Sequence, residues 1–110
     1  MTVLSADSTA RVARLRMEFR DVRIAWIEAT GGFSASVRNV WAFDGGLLRG
    51  MTELGDTPDE AVNELWTTLT DPRVLLVVDT YGTREGRREL RWDSQASQWR
   101  SIAPMAAVFG

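Results

Sequence analysis

The stretch Gly55-Asp56-Thr57-Pro58-Asp59-Glu60-Ala61-Val62-Asn63-Glu64-Leu65-Trp66 carries the clearest structural signal in the sequence. Thr57 is predicted to be the N-cap of a helix, with Pro58 as its first residue and Glu60 placed to close a capping box. Apolar residues then recur at the spacing of a helix that lies on a sheet, namely Val62, Leu65, Trp66 and Leu69. The sequence therefore predicts an amphipathic helix in the middle of the chain.

Two glycine-containing turns divide the chain before this helix. Thr30-Gly31-Gly32 and Asp44-Gly45-Gly46 are hairpin signals, because paired glycines supply positive φ angles. They separate three predicted strands, at residues 22–29, 33–43 and 47–53. In the second strand Phe33, Ala35 and Val37 alternate with polar residues, which indicates one buried face.

One more helix and three more strands complete the pattern. A first helix is expected from Thr9 to Arg20, with Asp7 or Ser8 as its N-cap. Further strands are expected at residues 73–81, 87–92 and 98–102. The first of these contains Val74–Val78, which is apolar on both faces and is typical of a central strand covered on two sides.

The predicted fold class is therefore α+β, in the order α-β-β-β-α-β-β-β. We expect an antiparallel or mixed sheet with the two helices packed on it. Residues 1–7 are expected to be a flexible leader, residues 8–102 a single domain, and residues 103–110 an apolar C-terminal tail.

The composition excludes several kinds of chemistry. The chain of 110 residues has no cysteine, histidine or lysine, and all 13 positive charges are arginine. Thiolate, imidazole and Schiff-base chemistry are therefore absent, and we expect no enzyme activity, no cofactor and no metal. An alternative is a small carboxylate-based enzyme, which requires a pocket holding at least two of four residues: Glu53, Asp56, Asp79 and Asp93.

The sequence also favours a particular location. No apolar run reaches the ~20 residues of a membrane span, and the polar N-terminus does not have the pattern of a signal peptide. We therefore expect a protein of the cytoplasm without a membrane partner.

Aromatic and basic residues near the C-terminus are the candidate contact residues for a protein partner. Of the five tryptophans, Trp26, Trp41 and Trp66 are expected in the core. The candidate partner-binding residues are Trp92, Trp99, Arg87, Arg91, Arg100 and Phe109, since tryptophan and arginine are enriched at binding hot spots. These residues favour a non-enzymatic protein-interaction module that binds a host protein or itself, the latter as a homodimer.

The alternative partner is nucleic acid. It would bind through the Arg84–Arg100 region, with Trp92 or Trp99 stacking on bases. The net charge of −2 makes this alternative less favoured. The α-β-β-β-α order resembles the double-stranded-RNA-binding fold, but the second helix begins with Asp59 and Glu60, where that family carries basic residues.

Two segments and the residue usage of the chain resemble those of a wider group of small proteins. Ala13–Phe19, the Gly55–Trp66 stretch and the lysine-free, arginine-rich usage resemble small orphan proteins of actinobacteria and their bacteriophages. This resemblance implies a phage-encoded accessory protein that binds a host protein in the host cytoplasm. It implies no particular functional residue.

Overall fold

The computed structural model describes residues 4–19, 21–44, 46–79 and 87–102. The elements in this part of the chain are α1 (Ala6–Phe19), β1 (Val22–Ile27), β2 (Gly32–Asp44), β3 (Leu47–Gly55), α2 (Pro58–Leu69), β4 (Leu75–Asp79), β5 (Arg87–Asp93) and β6 (Gln98–Ser101). The predicted α+β class and element order are confirmed. The expected tail at residues 103–110 lies outside the described residues.

The strands form one six-stranded antiparallel sheet. Its order is β1-β2-β4-β5-β6, and β3 pairs with β2. Hairpins connect β1 with β2 and β5 with β6, in the registers Val22↔Val37 and Trp92↔Trp99. None of the helices in the described residues is long and apolar enough to cross a membrane.

The chain divides into two compact units, with the gaps given above. The first comprises residues 4–38 and 51–68, and its largest fully buried side chains include Leu15, Met51 and Leu65. The second comprises residues 39–50 and 69–102, and its buried residues are Val40, Ala42, Leu69, Leu76, Val78, Leu90 and Trp99.

The start of α1 differs from the prediction. The helix begins at Ala6, and Ser5 is its N-cap, because the Ser5 Oγ accepts a hydrogen bond of 3.1 Å from the Ser8 N–H. The prediction of Asp7 or Ser8 as the cap is therefore wrong. The Ser5 N–H in turn donates to the Asp59 carboxylate over 2.9 Å, and this bond is the first cause of the lowered pKa of Asp59.

The start of α2 follows the prediction. The Glu60 N–H donates to the Thr57 Oγ1 over 3.1 Å, and Pro58 is the first helical residue. The Glu60 carboxylate accepts from the Asp56 N–H over 3.0 Å, one residue earlier than a regular capping box requires. The side chains of Thr57 and Glu60 therefore both bind the backbone at the start of α2.

The long strand β2 changes its buried face at Asn39. Ala35 and Val37 are buried before this residue, whereas Val40 and Ala42 are buried after it. Asn39 has a φ of 63°, in the left-handed region that asparagine tolerates better than most residues. The side-chain alternation shifts by one position at this residue, so both halves of the strand bury their apolar side chains.

Two expectations about burial are corrected. Trp26, expected in the core, is 57% exposed and packs edge-to-face on Phe33 with ring centres 5.0 Å apart. In β4 the side chains of Leu76 and Val78 are buried, but those of Leu75 and Val77 are only half-buried. This strand is central in the order, but one of its faces is buried and the other is only half-buried.

Candidate functional site

The hairpin of β5 and β6 positions most of the predicted contact residues. Asp93 fixes its turn, since the Asp93 carboxylate accepts hydrogen bonds from the N–H groups of Gln95 (3.0 Å) and Ala96 (3.2 Å). Ser97 adopts a φ of 51° and completes the turn. The hairpin therefore presents its side chains on a defined backbone.

The two tryptophans of the hairpin have different roles. They are cross-strand partners, with ring centres 4.7 Å apart and ring planes at 67°. Trp99 is only 8% exposed, and its indole N–H donates to the carbonyl oxygen of Leu69 over 2.7 Å. The ring of Trp99 therefore belongs to the core, and this position does not support the expectation that it contacts a partner. Trp92 is half-buried and keeps part of its surface open.

The two arginines of the hairpin lie opposite each other. Arg91 and Arg100 are cross-strand partners, and both side chains are exposed. The Arg100 guanidinium forms an ion pair with the Asp93 carboxylate at 2.5 Å. The pKa of Asp93 is lowered first by the Ala96 N–H, with Gln95 and Arg100 adding to the effect. The Arg91 side chain makes neither a hydrogen bond nor an ion pair with any described residue.

A shallow cavity of about 420 Å³ brings these groups together in the second unit. Three predicted contact residues line it, Arg91, Trp92 and Arg100. The rest of its wall consists of Pro72, Asp93, Ser94, Gln95, Ser101 and Ile102. Two arginines against one aspartate give the wall a net charge of +1. The lining thus includes Trp92, apolar residues and Arg91, whose guanidinium has no partner among the described residues. Arg91 and Trp92 border the cavity from opposite faces of β5, and we call it the hairpin cavity.

The remaining predicted contact residues do not line the hairpin cavity. Arg88, which belongs to the same basic cluster in the sequence, is exposed on β5 but points to the opposite face from Arg91. The side chain of Arg87 and all of Arg84 and Phe109 lie outside the described residues.

A second cavity, of about 590 Å³, was not predicted. It lies in the first unit and is lined by three arginines: Arg16 of α1, Arg23 of β1 and Arg38 of β2. These residues are 7 and 15 positions apart in the chain, so no local pattern marks them. We call it the arginine cavity.

The carboxylates proposed for an enzyme do not share either cavity. The hairpin cavity contains Asp93 alone of the four candidates, and the arginine cavity contains none of them. Glu53 accepts a hydrogen bond from the Thr68 hydroxyl at 3.5 Å. In the part of the chain that the structure describes, no three acidic side chains come together in a way that could hold a metal ion.

Comparison of the chain with models of known protein families, with curated proteins and with solved structures gave no match.

Proposed function

We propose that this chain is a non-enzymatic protein-interaction module and that the hairpin cavity is its contact surface. The observation that carries the proposal is that Arg91, Trp92 and Arg100 all line one cavity. Tryptophan and arginine are the residue types that most often carry binding energy at protein interfaces. The missing cysteine, histidine and lysine support the absence of catalysis.

The wall of the hairpin cavity indicates the chemistry of the partner. Trp92, Pro72 and Ile102 offer apolar surface, while Arg91, whose side chain has no partner among the described residues, offers a planar set of donors that suits a carboxylate. The complementary segment carries an apolar side chain next to an aspartate or glutamate. When such a segment binds, its carboxylate lies opposite the Arg91 guanidinium, and its apolar side chain excludes water from this contact.

The resemblance to actinobacteriophage proteins supports the biological setting of this proposal. The module is then an accessory protein that binds a host protein in the host cytoplasm. A second copy of the chain is the other possible occupant, and nucleic acid is the less favoured one.

Charge reversal on opposite faces of β5 tests the proposal. Wild-type protein and two variants, Arg91→Glu and Arg88→Glu, are immobilised and incubated with actinobacterial lysate, and retained proteins are quantified by mass spectrometry. Any captured protein is then purified and its Kd measured for all three. We expect Arg91→Glu to weaken binding at least about tenfold, because it faces the partner's carboxylate with a like charge. Arg88→Glu, which is equally exposed, should change Kd by less than about twofold, or ~0.4 kcal/mol.

Two results would contradict this proposal. One is that both variants retain the same proteins as the wild type, in the same amounts. The other is that both variants lose binding equally, which would indicate a general charge effect. Light scattering of the wild type at high concentration detects the homodimer, and a dimer insensitive to Arg91→Glu would exclude the hairpin cavity as its interface.

A further inference from the structure

The arginine cavity lies in the first unit, and three arginines line it. Arg23 lies on β1 opposite Ser36 of β2 in the strand register. Arg38 follows at the end of this pairing, where its N–H donates to the Asp21 carbonyl oxygen over 3.0 Å. Arg16 reaches the cavity from α1, and its Nη2 donates to the Val22 carbonyl oxygen at 3.4 Å. Arginines from three separate elements thus line one cavity.

The charge of the arginine cavity is not balanced by its own residues. Asp21 is the one carboxylate among the lining residues, so three arginines and one aspartate leave a net charge of +2. In the described part of the chain, the guanidinium groups of Arg23 and Arg38 have no hydrogen-bond or ion-pair partner, and neither is paired with Asp21. These exposed groups therefore keep their donors available for an anion.

Hydroxyl groups complete the polar wall of this cavity. Ser36 and Thr52 line it, and neither hydroxyl is used by another described residue. Guanidinium forks together with serine and threonine hydroxyls are the side-chain donors that commonly bind phosphate oxygens. A phosphomonoester carries a charge of about −1.5 to −2 at pH 7, which matches the net charge of +2, whereas a single carboxylate does not.

The size of the cavity indicates more than an inorganic ion. A volume of about 590 Å³ lies within the range of small-molecule sites, and Val22, Ile24 and Val37 contribute to the lining. We propose that the arginine cavity binds an organic phosphomonoester, with Arg23 and Arg38 holding the phosphate and Arg16 adding positive charge. The phosphate belongs either to a small molecule of nucleotide size or to a phosphorylated side chain.

NMR titration of the full-length chain tests this inference. The ¹⁵N-labelled protein is titrated separately with adenosine monophosphate, with a phosphoserine peptide and with inorganic phosphate, at matched ionic strength. We expect saturable shifts in the amides of residues 22–24, 36–38 and 52 with at least one organic phosphomonoester, and a weaker response to inorganic phosphate. The arm with the lower Kd identifies the source of the phosphate.

Variants decide whether the arginines are responsible. Arg23→Gln and Arg38→Gln should each raise the Kd by about tenfold or more, because each removes a charge-assisted contact. The matched control Arg88→Gln removes an exposed arginine that lines neither cavity, and it should leave the Kd unchanged. Thermal unfolding verifies that all variants fold. The proposal is overturned if no titrant gives saturable shifts at these amides, or if Arg88→Gln weakens binding as much as Arg23→Gln and Arg38→Gln.

Discussion

The indole N–H of Trp99 donates a 2.7 Å hydrogen bond to the carbonyl oxygen of Leu69, the last residue of α2. The last four carbonyl groups of a helix have no partner within the helix, so this bond satisfies a group that would otherwise be left without one. The bond is buried, as is the Trp99 ring. A residue expected to contact a partner is therefore a structural cap.

Replacing this indole tests its structural role. Trp99→Phe keeps an aromatic ring but leaves the Leu69 carbonyl unsatisfied, and we expect a loss of about 1–3 kcal/mol in the free energy of unfolding. Urea unfolding measures it. The same change at the exposed Trp26 should cost less than about 0.5 kcal/mol. Equal losses at the two positions would contradict a capping role for Trp99.

Gly55 is required by close backbone packing before α2. A Cβ at this position would lie 2.5 Å from the Ala61 nitrogen and 2.7 Å from the Glu60 Cβ. We therefore expect Gly55→Ala to destabilise the fold by about 1–3 kcal/mol or more. Gly50→Ala, in the same strand, meets nothing within 4 Å and serves as the control. Thermal unfolding of both variants should show a lower midpoint for Gly55→Ala alone.

The left-handed backbone conformation of Asn39 in β2 predicts a specific order of stability at this position. Its φ of 63° is free of strain for glycine but costs other residues roughly 1–2 kcal/mol, and more for a β-branched side chain. Asn39→Gly should change the free energy of unfolding by less than about 1 kcal/mol, whereas Asn39→Val should lower it clearly. If the valine variant is as stable as the glycine variant in urea, the strand does not require this conformation.

The lowered pKa of Asp93 predicts how the stability of the β5–β6 turn depends on pH. Hydrogen bonds from the Ala96 and Gln95 N–H groups, together with Arg100, hold its pKa below the ordinary 3.8. Because the folded-state pKa is the lower one, its contribution to stability is present above pH 3.8 and is lost as the pH falls through the folded-state pKa. Carboxyl NMR should give a pKa below 3.8, and Asp93→Asn should remove this part of the pH dependence. A pKa at or above 3.8 would show that the turn does not hold the carboxylate.

Burial of Trp99 also bears on nucleic-acid binding. Since this ring cannot stack on bases in the folded chain, we expect no salt-dependent binding through the hairpin. Fluorescence anisotropy of labelled single-stranded DNA and RNA, at about 50 mM salt, measures it. Affinity that falls steeply with salt and is lost in Trp92→Ala would favour the nucleic-acid alternative instead.

Local patterns predicted much of the fold. The Thr57–Glu60 cap and the apolar spacing after it placed α2 correctly, because both signals depend on neighbours within one or two helical turns. The start of α1 was missed because Ser5 and Asp59, 54 residues apart, cooperate there. The change of buried face in β2 had a visible trace in the sequence: Val37 and Val40 are three residues apart, which breaks the alternation of a regular strand.

The candidate sites could be predicted from the sequence only in part. By itself the sequence determined the element order, the absence of cysteine, histidine and lysine chemistry, and the clustering of Arg91, Trp92 and Arg100 on neighbouring strands. Tertiary structure alone decided that Trp99 is buried while Trp92 stays partly open, because burial depends on what packs against each face. It alone also assembled Arg16, Arg23 and Arg38, since strand register and the packing of α1 bring together charges that no short stretch of sequence contains.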